Sequence, residues 1–91
     1  MKFDWDPEKS KANWKKHGVR FEDAQRIFHG PVVEVADNRF DYEEARANSL
    51  GLLDGVVILN VTHTDRDGTV RIISARHATK AERRFYEKMV F

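Results

Sequence analysis

The stretch VVILNVTHTDRDGTVRIISARHATKAERRFYE, Val56–Glu87, decides the fold because three elements follow one another in it with short connections. Two apolar, β-branched runs flank the turn sequence Asp-Arg-Asp-Gly, which predicts an antiparallel hairpin. Thr79 and Glu82 then have the spacing of a capping box, which opens a helix that runs to about Val90. A four-residue spacing predicts that this helix packs on the sheet through Ala81, Phe85 and Met89.

Two helices are predicted near the start of the chain. Asp6 and Pro7 have the pattern of an N-cap followed by proline at the first helical position. This first helix runs to about His17, and Gly18 favours the left-handed conformation that ends a helix. An apolar stripe then predicts a second helix over about Phe21–Phe28.

The hydrophobic period changes to two after the second helix, which indicates strands. PVVEV begins one strand, a polar connection follows it, and ARANSLGLL provides a second strand with Gly51 at a bulge or a close backbone approach. The order is two N-terminal helices, an antiparallel sheet of about four strands and a C-terminal helix. We therefore predict the α+β class, in a single domain over residues 1–91.

Composition excludes several classes of protein. Hydrophobic residues make up 41% of the chain and charged residues 34%, which is typical of a globular protein and not of a disordered one. The absence of cysteine excludes disulfides and thiolate metal sites. No segment has the apolar length of a membrane span or of a signal-peptide core, so we expect a cytoplasmic protein that contacts no membrane.

Charge is distributed unevenly, although the formal net charge is only +1. Residues 31–65 carry two Lys/Arg against seven Asp/Glu, whereas residues 66–91 carry seven against three. A basic C-terminal region on a nearly neutral protein favours an anionic ligand. The alternative is that charges of both signs only solvate the surface.

The joint between the last strand and the last helix concentrates groups that bind phosphate or transfer protons. Strand alternation predicts that Ser74 and Arg76 share a face with Val70 and Ile72, and that Arg71 lies on the opposite face. Metal-free RNA cleavage requires a proton acceptor, a proton donor and cations that stabilise the phosphate. The residues predicted to border a shallow cleft for this chemistry are Arg76, His77, Glu82, Arg83 and Tyr86.

Several of the candidate residues also have a structural interpretation. Arg76 and Glu82 can form an ordinary salt bridge, and Glu82 is already explained by the capping box. Tyr86 can be a half-buried ring at the edge of the core, and His63 a strand-end residue without a role. No established metal motif and no glycine-rich phosphate loop occurs in the sequence, so we expect neither a metal site nor a cofactor.

Two segments resemble the BrnT family of toxins. FDWDPEKSKANWKKHGVRFEDAQRIF is similar to the opening of these proteins, which have a Trp-Asp pair, an Asn, Lys-His-Gly-Val and Phe-Glu-x-Ala. RIISARHATKAERRFYE is similar to their closing signature, Arg-Ile-Ile-Ser-Ala-Arg followed by Glu and Tyr on the last helix. The segments occur in the expected order, and the resemblance covers nearly the whole chain.

The resemblance implies a RelE-like fold and a ribonuclease toxin of a type II toxin–antitoxin pair that inhibits translation. The implied partner is a BrnA-type antitoxin with a ribbon-helix-helix domain, and DNA is contacted only through that complex. By position, the resemblance implies roles for Arg71, Ser74, Arg76, Glu82, Arg83 and Tyr86. We assign Arg76, His77, Glu82, Arg83 and Tyr86 to catalysis, and Arg71, Ser74, Lys80 and His63 to RNA binding.

A non-catalytic function is the alternative. A small binding module would use the same basic face to dock a partner protein or a nucleic acid. A degenerate toxin would keep the fold and the antitoxin interface but lack activity. Turnover of RNA separates both from the enzyme.

Overall fold

A five-stranded mixed sheet runs through the molecule, in a computed structural model that describes residues 1–36 and 45–91. The strands are β1 (Lys2–Asp4), β2 (Val32–Ala36), β3 (Ala47–Leu53), β4 (Val57–Arg66) and β5 (Thr69–His77). Neighbouring strands follow the order β1-β5-β4-β3-β2. The pairs from β2 to β5 are antiparallel, and β1 is parallel to β5.

The α+β class is confirmed, but the expectation of about four antiparallel strands is wrong by one strand. The additional strand is β1, whose three residues pair in parallel with Thr69–Arg71. Apolar and polar residues alternate over Phe3–Trp5, which indicates a small strand at this place, but the count of about four strands did not include it. The polar connection predicted between the first two antiparallel strands lies mostly outside the described residues.

The first helix, α1 (Pro7–His17), has the ends that the sequence predicts. The Asp6 side chain accepts a hydrogen bond of 2.9 Å from the backbone N–H of Glu8. Gly18 has a φ of 70° and donates its backbone N–H to the carbonyl of Trp14. At each end of the helix, a backbone group thus has a hydrogen-bond partner.

The second helix is shorter than predicted. It comprises α2 (Phe21–Ala24) and continues as a 3₁₀ helix over Gln25–His29. Phe21, Ala24 and Ile27 are its buried residues, and they recur every three positions, which matches the period of a 3₁₀ helix.

Gly51 permits the 3₁₀ segment to lie close to the sheet. A Cβ atom at this position would be 3.0 Å from Ile27 Cβ and 3.0 Å from Val32 Cγ1. The prediction of a close backbone approach at Gly51 is thereby confirmed.

The two faces of the sheet are covered unequally. The helices α1 and α2 cover one face, which we call the covered face, and enclose a core that includes Phe21, Leu59 and Ile72. The final helix, α3 (Lys80–Val90), contacts the other face mainly at β2 and β3. We call this second face the open face, because it extends beyond α3 along β4 and β5.

The residues of α3 that face the sheet differ from the prediction. Phe85 and Met89 are exposed, whereas Glu82, Tyr86 and Val90 point inward. The capping box fixes the helix start and brings the Glu82 carboxylate back to the Thr79 backbone. Tyr86 then buries its ring and donates its hydroxyl to the Pro31 carbonyl at 2.8 Å. The predicted contact stripe is therefore wrong by one position along the helix.

A register shift in the β4–β5 hairpin changes which side chains share a face. Thr62 pairs with Ser74, but His63 pairs with Ile72, so Ile73 has no partner on β4. Because Thr62 and Thr64 share one face of β4, their partners Ser74 and Arg71 share it as well. The predicted separation of Arg71 from Ser74 is therefore wrong, since simple alternation does not include the extra residue.

One buried amide joins α1 to the outer edge of β5. Asn13 Nδ2 donates to the carbonyls of Val19 at 2.8 Å and Ala75 at 2.7 Å. Asn13 Oδ1 accepts the backbone N–H of Ala75 at 3.2 Å. Both backbone groups of Ala75 are thus paired beyond the point where β1 ends.

Candidate functional site

The strand–helix joint holds a cluster centred on the Glu82 carboxylate. Arg76 of β5 donates from Nη1 to Oε1 at 2.7 Å and from Nη2 to Oε2 at 3.0 Å. Asn60, directly opposite Arg76 on β4, donates its amide nitrogen to Oε2 at 2.8 Å. The Thr79 backbone N–H donates to Oε1 at 2.8 Å. We call these four residues the Arg76 cluster.

The Arg76 cluster fixes the ionisation state of Glu82. Hydrogen bonds from Arg76, Thr79 and Asn60 lower the pKa of this carboxyl to about 2, with the bonds from Arg76 as the largest cause and partial burial opposing them. A carboxyl with such a pKa is ionised at neutral pH. It is therefore a weak base and holds no proton to donate, so its geometry supports positioning of Arg76 better than proton transfer.

Arg76 keeps one edge of its guanidinium available. Nη1 donates to Glu82 and to the His77 carbonyl, and Nη2 gives one bond to Glu82. Within residues 1–36 and 45–91 no hydrogen bond from Nε is present, so Nε and the second Nη2 hydrogen form an unpaired edge. The side chain is 36% exposed, which leaves this edge accessible to a planar or tetrahedral anion.

The register shift adds Arg71 and Ser74 to the same open face. Ser74 is two residues from Arg76 on β5 and is partly exposed. Arg71 donates from Nη1 to Asp4 of β1, and both side chains are about half exposed. The open face therefore carries two arginines and a hydroxyl along one strand.

Three other predicted residues lie around the joint rather than within the Arg76 cluster. His77 is exposed and points to the covered side of the sheet, because neighbouring residues of a strand face opposite ways. Lys80 and Arg83 are exposed on α3. Ala81 and Phe85 are four positions apart and lie on one side of α3. Arg83 is two positions from each of them, so it lies on the opposite side of the helix.

Tyr86 and His63 are inside the protein. Tyr86 has no exposed surface, and its hydroxyl is bound to Pro31. His63 is 1% exposed and lies on the covered face, where its ring contacts Phe28 edge-on. Neither side chain is accessible to solvent in this structure, and the roles predicted for Tyr86 in catalysis and for His63 in substrate binding stay predictions.

His63 belongs to a second polar cluster. Its Nε2 is 2.8 Å from Ser49 Oγ, and its Nδ1 is 2.7 Å from Asp65 Oδ1. This arrangement resembles a serine–histidine–aspartate triad in its contacts. Ser49 is fully buried, however, so its hydroxyl is inaccessible to a substrate. We call these three residues the His63 cluster and assign it a structural role.

Asn60 is the residue of the site that sequence reasoning missed. It lies between Leu59 and Val61, which form part of the apolar face of β4. Alternation along β4 alone was sufficient to place Asn60 on the opposite face. Its pairing with Arg76 also requires the hairpin register, which the shift near His63 conceals.

In the described ranges, 1–36 and 45–91, no three His, Cys, Asp or Glu side chains are grouped so as to hold a metal ion. No helix of the described part is both long and apolar enough to cross a membrane.

Comparison with known proteins defines the class. Residues 5–82 match the family model described as "Ribonuclease toxin, BrnT, of type II toxin-antitoxin system". This match extends over most of the chain and includes both the N-terminal helices and the Arg76 cluster. The chain thus falls within a class of ribonuclease toxins of toxin–antitoxin systems. Within that class, it belongs to the BrnT family.

A solved structure supports this membership. The chain is similar to the crystal structure of the ribonuclease toxin BrnT of Brucella abortus, with a TM-score of 0.65 and 26% sequence identity. The alignment covers 88% of this chain and 99% of that one. No curated protein is significantly similar in sequence.

Proposed function

We propose that this chain is a metal-independent endoribonuclease that cuts RNA at the open face, beside Arg76. The unpaired edge of the Arg76 guanidinium, on the same face of the sheet as Ser74 and Arg71, carries the proposal. An arginine edge binds two oxygens of one phosphate and neutralises its charge. BrnT-family membership supports RNA as the source of that phosphate.

The reaction we infer is attack of a ribose 2′-oxygen on the adjacent phosphorus. The bond from O2′ to phosphorus forms, the bond from phosphorus to O5′ breaks, and a 2′,3′-cyclic phosphate results. The 2′-hydroxyl loses its proton to a base, and O5′ receives a proton as it leaves. Positive charge at the phosphate lowers the barrier, because negative charge accumulates on its oxygens in the transition state.

The residues have different roles in this proposal. Arg76 stabilises the reacting phosphate and Ser74 contributes a hydroxyl hydrogen bond, whereas Arg71, five positions away along β5, contacts a flanking phosphate of the RNA. Glu82 and Asn60 are positioning residues, since the ionised carboxylate holds the guanidinium through two bonds. Lys80 and Arg83, which are exposed on α3, are candidates for contacts to flanking phosphates, whereas His77, predicted for proton transfer, points to the covered side and not toward Arg76.

The proposed site supplies its own positive charge, and this is why we expect cleavage without a metal. The decisive measurement is cleavage of an end-labelled RNA by the purified chain in excess EDTA. We expect cleavage by the wild-type chain and by Arg84→Ala, which removes an exposed cation of α3 outside the site. Arg76→Ala should lose cleavage while retaining its circular dichroism spectrum.

Other outcomes distinguish the alternatives. Cleavage that appears only when Mg²⁺ is added would contradict metal independence. No cleavage under either condition, combined with salt-sensitive RNA binding, would favour a binding module. Equal activity of Arg76→Ala and the wild type would remove Arg76 from the site.

The partner that the family implies is an antitoxin, and we propose the BrnA type with a ribbon-helix-helix domain. Such a complex would contact DNA only through the antitoxin. The exposed Met89 and Phe91 beside the open face provide apolar surface for a protein partner. We expect expression of the chain alone, in the cytoplasm, to inhibit growth and co-expression with the antitoxin to relieve the inhibition. Harmless expression of an active chain would contradict this.

A further inference from the structure

A groove lies between α3 and the open face of the sheet, with a volume of about 270 Å³. Its walls are apolar and consist of Val35, Leu50, Ala81 and Phe85. Its polar lining consists of the side chains of Asn48, Asn60 and Glu82. Apolar walls with a few polar groups are typical of sites that bind small molecules.

The orientation of the Asn60 amide is determined by its neighbour. The Glu82 carboxylate is ionised and only accepts hydrogen bonds, so Asn60 must turn its nitrogen toward it. The Asn60 oxygen is thereby left on the other side of the amide as an acceptor. Asn60 is nearly buried, so its orientation is restricted by packing as well.

Asn48 presents the complementary groups. Its oxygen accepts the Thr62 hydroxyl at 2.7 Å, which leaves the two hydrogens of Nδ2. No bond from this nitrogen is present within residues 1–36 and 45–91. An amide donor and an amide acceptor therefore line one groove, and the edge of a nucleobase offers the matching acceptor and donor.

Phe85 provides an aromatic wall beside these amides. Phe85 is 43% exposed, although the helix that carries it packs on the sheet. An accessible ring beside hydrogen-bonding amides is the combination by which proteins hold unpaired RNA bases.

The groove is adjacent to the proposed phosphate site. Asn60 and Arg76 are directly opposite each other on neighbouring strands, about 4.8 Å apart across the sheet. Asn48 is on β3, one strand further from Arg76. A nucleotide whose phosphate contacts Arg76 can therefore place its base over Asn60 and Asn48.

We propose that this groove is a base-recognition subsite, in which one unpaired nucleobase of the RNA stacks on Phe85 and hydrogen-bonds to Asn48 and Asn60. The inference rests on the proposed function and specifies which part of the substrate the site reads. The phosphate contacts at Arg76 carry no sequence information, whereas the two amides do.

Binding can be measured without cleavage. The ¹⁵N-labelled chain is titrated with each of the four ribonucleoside 3′-monophosphates, and the side-chain NH₂ signals of Asn48 and Asn60 are followed by NMR. We expect both signals to shift with at least one nucleotide. Phe85→Ala should weaken that nucleotide's affinity about tenfold, because it removes the stacking surface. Val56→Ala, at an exposed position outside the groove, should bind as the wild type does.

Cleavage specificity provides a second readout. RNA oligonucleotides that differ in one base beside the cut are compared by kcat/KM. Asn48→Ala should reduce the ratio between the best and the worst base about tenfold, while cleavage of the poorest substrate changes little. Asn48 lies outside the phosphate site, so a general loss of cleavage is not expected.

The outcomes separate this inference from the proposed function. Cleavage with unchanged base ratios in Asn48→Ala, and no shift of the groove amides, overturns the subsite but leaves the ribonuclease intact. Nucleotide-dependent shifts in a chain that cuts no RNA support the subsite and overturn the ribonuclease. Amide signals that respond to the antitoxin but to no nucleotide would identify the groove as a protein interface and overturn the subsite.

Discussion

The Arg76 cluster and the His63 cluster lie on opposite faces of the same sheet, and both are chains of paired polar side chains. In the His63 cluster, both ring nitrogens are paired and the ring is closed in by Phe28. In the Arg76 cluster, the carboxylate is fully paired but the guanidinium keeps an accessible edge. Both clusters provide hydrogen-bond partners for buried polar atoms. Of the two, only the Arg76 cluster keeps donors that can bind a ligand.

The difference shows that contacts between catalytic residue types do not identify a site. Ser49, His63 and Asp65 have the pairing of a hydrolytic triad, but burial of the serine prevents reaction. Arg76 is paired with a carboxylate as in many structural salt bridges, yet its position on the open face leaves it available to an anion. Unpaired hydrogen-bonding capacity at an accessible surface is the more informative criterion.

Arg76→Lys tests the Arg76 cluster on the open face and should give the largest effect. Lysine keeps the charge but has no planar edge, so it cannot pair with Glu82 and bind a phosphate in the same geometry. We expect kcat/KM for RNA to fall about 100-fold, the effect of losing a preorganised donor. Arg84→Lys should leave kcat/KM unchanged. Near-wild-type activity of Arg76→Lys would mean that charge alone suffices.

His63→Ala tests the His63 cluster on the covered face. It leaves the Ser49 hydroxyl unpaired and opens a cavity, so we expect urea denaturation to show a loss of about 2–3 kcal/mol in the free energy of unfolding. Activity per folded molecule should stay within about twofold of the wild type, as expected for a residue that does not contact RNA. His29→Ala, at an exposed position, should change neither quantity. A stable variant with strongly reduced cleavage would return His63 to the active site.

Acid should weaken the Arg76 cluster. The pKa of Glu82 is about 2 in the folded chain and near 4.5 without its partners, so its ionic bonds stabilise the fold fully above pH 4.5. This contribution is lost as the pH falls toward 2. Allowing for solvent screening, we expect it to be about 1–2 kcal/mol.

Urea denaturation at pH 7 and pH 3 measures this contribution. The wild-type chain should lose more stability between these pH values than Glu82→Gln, which cannot ionise at this position. An equal loss in the two proteins would show that Glu82 has an ordinary pKa in the folded chain.

Thr79→Ala should have the smallest effect. It removes the 3.2 Å bond from the Glu82 backbone N–H to the Thr79 hydroxyl, but the Thr79 backbone still donates to the Glu82 carboxylate. We expect thermal denaturation to show a loss of about 1 kcal/mol, as for other N-cap residues, with cleavage nearly unchanged. Arg84→Ala on the same helix should be neutral. A large loss of cleavage would mean that the cap itself positions Arg76.

Local patterns in the sequence predicted the features that depend on neighbouring residues. The ends of α1 and the capping box of α3 follow from short-range hydrogen bonding and were correctly predicted. The sheet-facing side of α3 was not, because Tyr86 combines a burial-prone ring with a hydroxyl that needs a distant partner, Pro31. A long-range contact of this kind leaves no periodic signal.

The candidate site was predicted only in part, because some of its contacts also join residues that are far apart in the chain. Arg76 and Glu82 are six positions apart and their pairing was anticipated as an alternative. Arg71 and Ser74 share one face because Ile73 has no partner on β4. The alternation of side chains along a strand does not reveal such an unpaired residue. Burial of His63 depends on Phe28, which is 35 positions away in the chain and contacts its ring from the helix layer.

The amide of Asn13 has a consequence for the outer edge of β5. Past the end of β1, the outer edge of β5 would offer a free N–H and C=O to any extended chain. Asn13 occupies both groups of Ala75, so a side chain stands in for the peptide unit of a missing strand. Bare strand edges recruit other copies into continuous sheets. A single asparagine thus blocks this part of the β5 edge from pairing with another strand.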